Sequence, residues 1–476
     1  MMVKQFYLNC LAHASYMIAD DSTKTAVVVD PQRDIDQYLQ EAQLHGWVIQ
    51  YVFLTHFHAD FLAGHLELRN QTGAEVCLGI RAQTAFPFRA FKDGEVLEFG
   101  KVRIQVLETP GHTPEGISLV VYDLDKSSQL PHCVLTGDTL FIGDVGRPDL
   151  MASVGVTAKE LAGQLFHSLH HKLLALPDET LVYPAHGAGS MCGKNLSTDT
   201  VSTLGTQRWE NYALQPMTAK EFISLVTTDQ PEAPSYFGYD AQRNREEHPT
   251  LADVIDRGLV PLSLEPLLAH QLQGAQIVDV RSPVDYAGGH VKGSLNISLA
   301  GKFAKWAGII LNPKLPIVLV AEPGMELEAI QRLGRIGFDQ VVGYLESGMH
   351  ALQSRPDLVK RGQWISAQAL AEQLTTQIPP LVLDVRTTKE WESGHIDQSL
   401  NIPLPHLAER IEEIPTDRPV VVHCASGYRS SIAMGLLEKF SRNNAINLVG
   451  GYEAWGKTWG RPNRNSQPEK AANCAI

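Results

Sequence analysis

Val52-Phe53-Leu54-Thr55-His56-Phe57-His58-Ala59-Asp60-Phe61 is the stretch whose reading decides the fold. Its apolar start reads as a buried strand. Two histidines two residues apart emerge at the strand's end, and an aspartate follows two further on. Side chains alternate in direction along an extended segment, so His56, His58 and Asp60 can face one pocket while Phe57 and Ala59 turn away. Imidazole and carboxylate together are the usual ligands of a catalytic transition metal.

Three later motifs extend this set. Thr109-Pro110-Gly111-His112-Thr113 places a histidine in a tight Pro-Gly turn. Thr136-Gly137-Asp138-Thr139 adds a carboxylate after the strand Val134-Leu135, and Tyr183-Pro184-Ala185-His186-Gly187 offers one more histidine after another strand. A lone histidine at a loop end is usually an ordinary polar residue. Several motif groups in this order, each beside an apolar run or a Gly/Pro turn, are a specific signal. The order H-x-H-x-D, G-H-T, G-D, H-G resembles the signature of the metallo-β-lactamase superfamily, which implies an αββα sandwich.

Most hydrolases of that superfamily carry a second histidine directly after the aspartate, and it helps hold a second metal. Here that position is Phe61. Asp60, His186 and a bridging Asp138 remain for a second ion, which is thin for tight binding. One metal per chain is expected, on His56, His112 and Asp138. Two histidines and one carboxylate leave open positions, the arrangement of non-haem Fe(II) oxygenases, although Zn(II) accepts the same ligands. His58, Asp60 and His186 are then expected to orient those ligands or move protons.

The resemblance narrows to the persulfide dioxygenases, the mononuclear-iron branch of the superfamily. It runs from Lys4-Gln5-Phe6-Tyr7 to about Phe237. It includes Gly143-Asp144-Val145-Gly146-Arg147-Pro148-Asp149-Leu150 and His186-Gly187-Ala188-Gly189-Ser190-Met191-Cys192-Gly193-Lys194. It implies oxidation of a low-molecular-weight thiol persulfide by O2 to sulfite and free thiol. The chemistry belongs to Fe(II), and the protein positions the reactants. Arg147 reads either as a group that binds substrate carboxylate or orients its neighbours, or as a buried ion pair with Asp144 or Asp149. Cys192 reads as a pocket residue that receives or relays sulfur, with a small buried residue as the plain alternative.

The second half contains an internal repeat. Asp279-Val280-Arg281 with Gly289-His290-Val291 and Leu295-Asn296-Ile297 recurs as Asp384-Val385-Arg386 with Gly394-His395-Ile396 and Leu400-Asn401-Ile402. Each copy alternates strand and helix, a small α/β domain with a mainly parallel sheet. In the second copy a buried strand runs into His423-Cys424-Ala425-Ser426-Gly427-Tyr428-Arg429, and a helical segment follows from Ser430 to Lys439. Backbone N–H groups of such a loop, the helix N-terminus and Arg429 can stabilise a thiolate or a bound persulfide. The motif resembles the rhodanese active loop, which implies that Cys424 carries sulfur and Arg429 holds an anionic acceptor. Phosphate or arsenate handling also uses C-x(n)-R loops, usually with one more residue between Cys and Arg. In the first copy Ala321 replaces the cysteine and Glu326 the arginine, so that copy is expected to be catalytically silent.

These readings give a multidomain α/β chain: a metallo-β-lactamase αββα sandwich over 1–245, a rhodanese-like domain without its cysteine over 255–355, an active one over 360–460, and a polar, disordered tail over 461–476. The boundary is placed in Pro231-Glu232-Ala233-Pro234 and Arg243-Asn244-Arg245-Glu246-Glu247-His248-Pro249, a linker composition. Strands are expected at Ala26–Val29, Val102–Leu107 and Ser118–Tyr122, and helices at Ile35–His45 and Met217–Val226.

Over 476 residues the formal net charge is −13, which argues against nucleic acid or anionic membranes as partners. No apolar run approaches about 18 residues, and no signal-like start is visible. Six cysteines without a C-x-x-C pair suit a reducing compartment, so a cytoplasmic enzyme is expected. Its expected partners are a thiol persulfide, O2 and sulfite. The persulfide's carrier is open among coenzyme A, glutathione, bacillithiol and cysteine, and the oligomeric state is open, a homo-oligomer included. Three alternatives stand beside this: a glyoxalase II-like thioester hydrolase fused to a sulfurtransferase, a sulfur carrier with a structural metal, and a flavin- or di-iron-dependent reductase.

Overall fold

The structure, a computed structural model, describes residues 1–150, 155–230 and 232–459. Pro231 of the expected linker, Cys474 and the tail from 461 on lie outside the described residues. The described chain forms two compact units. One comprises Met1–Ile255 with Gln331–Asp339, the other Asp256–Ile330 with Gln340 onward. Among the described residues no helix is long and apolar enough to cross a membrane.

The first unit is built on two six-stranded sheets. One runs from Met2–Leu8 through His13–Asp20, Thr25–Val29, Val48–Phe53 and Glu75–Gly79 to Arg89–Phe91. The other runs from Ser202–Thr203 through Leu181–Pro184, Cys133–Gly137, Ile117–Asp123 and Val102–Glu108 to Val96–Phe99. Strand alternation divides the apolar residues between two layers. Tyr16, Ile18, Val27, Val29 and Phe53 meet Ile104, Val106, Leu119, Val121 and Leu135 between the sheets. Met17, Ala26, Val28 and Val52 turn outward under Tyr38, Ala42, Leu66 and Leu68 of the helices Asp36–His45 and His65–Thr72. Both faces of these strands are covered, which is why Ala26–Val29 is apolar without alternation.

On the far face, Val120, Val134 and Val182 lie under Leu165 and Phe222 of the helices Ala158–His167 and Ala219–Thr227. The latter starts two residues later than its apolar spacing suggests, because Thr218 and Glu221 form a capping box.

The stretch Arg243–Pro249, expected to be a linker, is instead built into this unit. Asn244 is fully buried, Ala85 N–H donates to the Arg245 carbonyl at 2.8 Å, and Arg69 makes a two-pronged ion pair with Glu247 at 2.8 and 2.9 Å. Its polar composition misleads because its partners are main-chain atoms and distant charges rather than water.

The second unit contains two five-stranded parallel sheets with the same strand order. The first is Pro261–Leu262, Val341–Leu345, Ile317–Val320, Gln276–Asp279, Leu295–Asn296. The second is Trp364–Ile365, Ala445–Leu448, Val420–His423, Leu381–Asp384, Leu400–Asn401. The repeated motif builds the same frame in both. Arg281 clamps Asp279 at 3.0 and 2.6 Å and reaches the Gly289 carbonyl at 2.8 Å, and Arg386 does the same with Asp384 and Gly394 at the same distances. Tyr286 stacks on His290 and Trp391 on His395, both at 3.8 Å between ring centroids. The D-V-R and G-H elements are therefore scaffold in the copy with the thiol and in the copy without it.

Candidate active sites

The metal-site motifs lie at neighbouring strand ends. Val48–Phe53 delivers Thr55 and His56, Cys133–Gly137 delivers Asp138, and Leu181–Pro184 delivers His186, with Gly137 paired to Pro184 in the parallel ladder. The Pro-Gly turn brings in His112. Gly137 sits at φ +53, and a Cβ there would stand 2.4 Å from Thr55 Oγ1, so only glycine lets the two strand ends approach.

His56, His112 and Asp138 converge, as do Asp60, His186 and Cys192. His56 Nε2 lies 3.7 Å and His112 Nε2 3.4 Å from Asp138 Oδ2. Hydrogen bonds behind the rings fix which nitrogen faces the site. His112 Nδ1 is 2.9 Å from the Arg147 carbonyl, which can only accept, so the proton sits on Nδ1. Thr55 Oγ1 gives its one proton to Asp30 Oδ2 at 2.8 Å and so accepts from His56 Nδ1 at 2.9 Å. Both Nε2 atoms then carry lone pairs into the site, and both are buried without a hydrogen-bond partner. Two bare imidazole nitrogens beside a carboxylate oxygen are a donor set that a divalent transition metal fits.

Charge distribution agrees. Burial, reinforced by His58, holds His56 well below the usual histidine range, hence neutral. Burial would raise Asp138, but His186 and His56 hold it well below the carboxylate range. A small cleft adjoins the triad, lined by Thr55, Thr109, Thr113, Gly116, Ile117 and Thr139.

The other expected residues take distinct places. His58 points inward but meets Asp30, its Nε2 3.1 Å from Oδ1, and its ring packs on Phe61 at 4.4 Å. His186 bridges two carboxylates, with Nδ1 2.8 Å from Asp138 Oδ1 and Nε2 3.1 Å from Asp60 Oδ2. Burial opposes its protonation, but these two anions raise it well above the usual histidine range. Cys192 is buried beside them, and burial first, then Asp60 and Asp138, pushes its thiol up. Arg147 is ion-paired with Asp149. Its guanidinium clasps Asp149 at 2.7 Å twice and reaches the Met191 carbonyl at 3.3 Å, while its own carbonyl orients His112.

Three contributors escape the motif reading. Asp30 fixes Thr55 through N–H and hydroxyl at 2.7 and 2.8 Å; its place at the end of the strand beside His56's strand was a signal, since Val29 pairs with Phe53. His13 Nε2 donates to the Asp30 carbonyl, 2.9 Å away, and has no sequence signature. Asn244 ties the His58–Ala63 loop, its Nδ2 donating to the His58 and Phe61 carbonyls and its Oδ1 accepting from Ala63 N–H, all at 2.8 Å.

In the second unit Cys424 is buried at the end of Val420–His423. Gly427, at φ +125, turns its N–H onto Cys424 Sγ at 3.1 Å, and Ser430 Oγ lies 3.8 Å away. Arg429 is engaged by Glu390 at 2.6 and 2.7 Å, so its charge is met within the protein. In the copy without the cysteine the equivalent Gly324 N–H donates to Glu326 at 2.8 Å, so a carboxylate occupies the donor that meets Cys424 Sγ in the other loop.

Comparison with known proteins agrees with this anatomy. Residues 8–186 match the metallo-β-lactamase superfamily, and residues 264–355 and 366–458 match the rhodanese-like domain. The chain is 28% identical to the mitochondrial persulfide dioxygenase ETHE1 of Homo sapiens over 47% of its length and 80% of that protein. It is 32% identical to a hydroxyacylglutathione hydrolase of Brucella ovis over 51% of its length and 84% of that protein. A solved metallo-β-lactamase structure from Staphylococcus aureus superposes with a TM-score of 0.65 at 30% identity, covering 72% of this chain and 98% of that one. The chain belongs to the metallo-β-lactamase superfamily, with persulfide dioxygenase homologues, and carries two rhodanese-like domains behind that fold.

Proposed function

We propose that the first unit is an Fe(II)-dependent dioxygenase of low-molecular-weight thiol persulfides, and that Cys424 transfers sulfane sulfur to the sulfite it makes. The observation that carries this reading is the buried His56–His112–Asp138 triad, with both Nε2 lone pairs turned to one carboxylate oxygen. It is a two-histidine, one-carboxylate set with room for exogenous ligands. Iron bound there would supply O2 activation and a site for the persulfide sulfur. The chain's own residues do the rest. Asp30 through Thr55, and the Arg147 carbonyl, hold the two imidazoles in the binding tautomer. His186 holds a proton between Asp60 and Asp138, available to a leaving thiolate.

In the second unit the transfer step needs no external oxidant. Sulfite attacks the terminal sulfur of the Cys424 persulfide, a new S–S bond forms, the old one breaks, and the electron pair leaves on Cys424 as thiolate. Thiosulfate is released, and the Gly427 N–H receives the returning negative charge at 3.1 Å.

A hydrolase reading is favoured by the Asp60–His186–Cys192 cluster, a second donor set beside the triad, although Phe61 stands where the superfamily's hydrolases use histidine. The discriminating experiment is O2 uptake by iron-loaded protein given a panel of thiol persulfides, with metal content, sulfite and thiosulfate quantified. Rapid uptake with one iron per chain supports the dioxygenase. Two metals per chain with thioester hydrolysis and no uptake would overturn it.

A further inference from the structure

The first unit is not one continuous stretch of chain. Besides Met1–Ile255 it takes in Gln331–Asp339, which lies inside the residues 264–355 that match the rhodanese-like domain. Ile336 and Phe338 of this short segment are fully buried.

The segment grips two loops of the metal site. One is the turn that follows Asp30. There Arg33 is only 1% exposed, so its guanidinium depends on protein partners. Its Nη1 donates to Asp339 Oδ1 at 2.5 Å and to the Gly334 carbonyl at 2.6 Å, and its Nε donates to Glu67 Oε1 at 2.9 Å. Arg335 reaches Asp34 of the same turn, with Nε at 3.0 Å and Nη2 at 2.6 Å. The other loop is His58–Ala63, whose Leu62 N–H donates to the Arg335 carbonyl at 2.8 Å. Tyr239 and Arg243 fasten the segment from the side that carries Asn244. The Tyr239 hydroxyl donates to the Gly337 carbonyl and Arg243 Nη2 to Asp339 Oδ2, both at 3.2 Å.

Both loops act on the triad. Asp30 fixes Thr55, which orients His56. Asp60, two residues before Leu62, meets His186, which in turn meets Asp138. A shift of Gln331–Asp339 would therefore be felt at a histidine and at the carboxylate of the triad.

We propose that Gln331–Asp339, although it belongs in sequence to the copy without the cysteine, is a positioning element of the metal site, with Arg335 and Asp339 as its positioning residues. That copy then has a duty which needs no thiol. The inference rests on the reading of His56, His112 and Asp138 as a metal site, but not on the reaction that the metal supports.

The test is titration of the metal-stripped, full-length protein with Co(II), whose visible absorption bands report ligand geometry, run beside thermal unfolding. Arg335→Gln is expected to shift the bands and to raise the Co(II) Kd about fivefold, and Asp34→Asn to do the same. The double variant should be no worse than either alone, because both changes break one pair. Asp339→Asn, which strands the buried Arg33, should raise Kd at least about tenfold. Phe222→Leu, in the core on the far face, is the control for stability alone: it should lower the melting temperature and leave bands and Kd in place. Wild-type bands and Kd in Arg335→Gln and Asp339→Asn would overturn the proposal. So would an equal effect of Phe222→Leu, since metal binding would then simply follow stability. A wild type that binds no Co(II) would overturn the metal-site reading and this inference with it. If the variants respond as expected but the iron-loaded wild type takes up no O2 with any persulfide, the inference stands and the proposed function falls.

Discussion

Asn244→Ala tests whether the expected linker truly holds the metal-site loop. The substitution removes three hydrogen bonds of 2.8 Å and leaves the His58 and Phe61 carbonyls and the Ala63 N–H without that partner. Asn244 is fully buried, so water cannot replace the amide without entering the core. At roughly 1–2 kcal/mol for each buried group left unpaired, the loss is about 3–6 kcal/mol. For a unit of this size 1 kcal/mol moves the melting temperature by about 2–4 °C, so a fall on the order of 10 °C is expected. Scanning calorimetry of the whole protein should show one transition shifted and the transition of the rhodanese-like unit in place. Iron affinity should fall at least about tenfold, because the loop between His58 and Ala63 follows directly on the ligand His56. A shift below about 2 °C with wild-type iron content would refute the reasoning, since it would mean that the loop holds itself.

His112→Ala removes one of the two bare Nε2 donors, and iron binding and O2 uptake should fall more than about 100-fold while sulfur transfer by Cys424 persists; retained uptake would exclude His112 as an essential ligand. Cys424→Ser should keep O2 consumption, accumulate sulfite and lose thiosulfate, measured by ion chromatography; thiosulfate at the wild-type rate would sink the transfer role. Glu390 gives a pH signature: burial would raise its carboxyl, but Arg429 and the Thr387 cap hold it down to about 2 from the ordinary 4.5. A lowered folded pKa means stability that is present above pH 4.5 and lost as pH falls towards 2, so the melting-temperature gap between wild type and Glu390→Gln should narrow between pH 5 and pH 3. A gap that widens on acidification would reverse the assignment.

The sequence makes the triad readable because each of its residues follows an apolar strand or sits in a Pro-Gly turn, while the strands that carry His56 and Asp138 belong to different sheets and meet only when the two sheets pack. Asn244 is silent in sequence for the opposite reason. Its partners are main-chain atoms of His58, Phe61 and Ala63, which no residue pattern encodes, and its charged neighbours imitate a solvated linker. Asp30 reads as a turn residue before Pro31, and only its register against the next strand reveals that it sets the His56 tautomer. Cys192 is visible as a cysteine near His186, but its convergence with Asp60 depends on a loop path that spacing does not fix. The same holds for Arg429. The T-x-x-E capping pattern at Thr387 and Glu390 marks a helix start, and its second duty, clasping Arg429, belongs to tertiary structure.

The twin Asp–Arg clamps in the two rhodanese-like copies bear on how such proteins are inherited and handled. One copy keeps its whole frame with an alanine in place of the thiol, so shape and chemistry are separately mutable. Selection for folding alone would not guard Cys424 against drift. In the laboratory the corollary is practical: a well-resolved melting curve or a sharp elution peak certifies the frame and is blind to whether the sulfur atom is alive, so each preparation needs a thiol titration of its own.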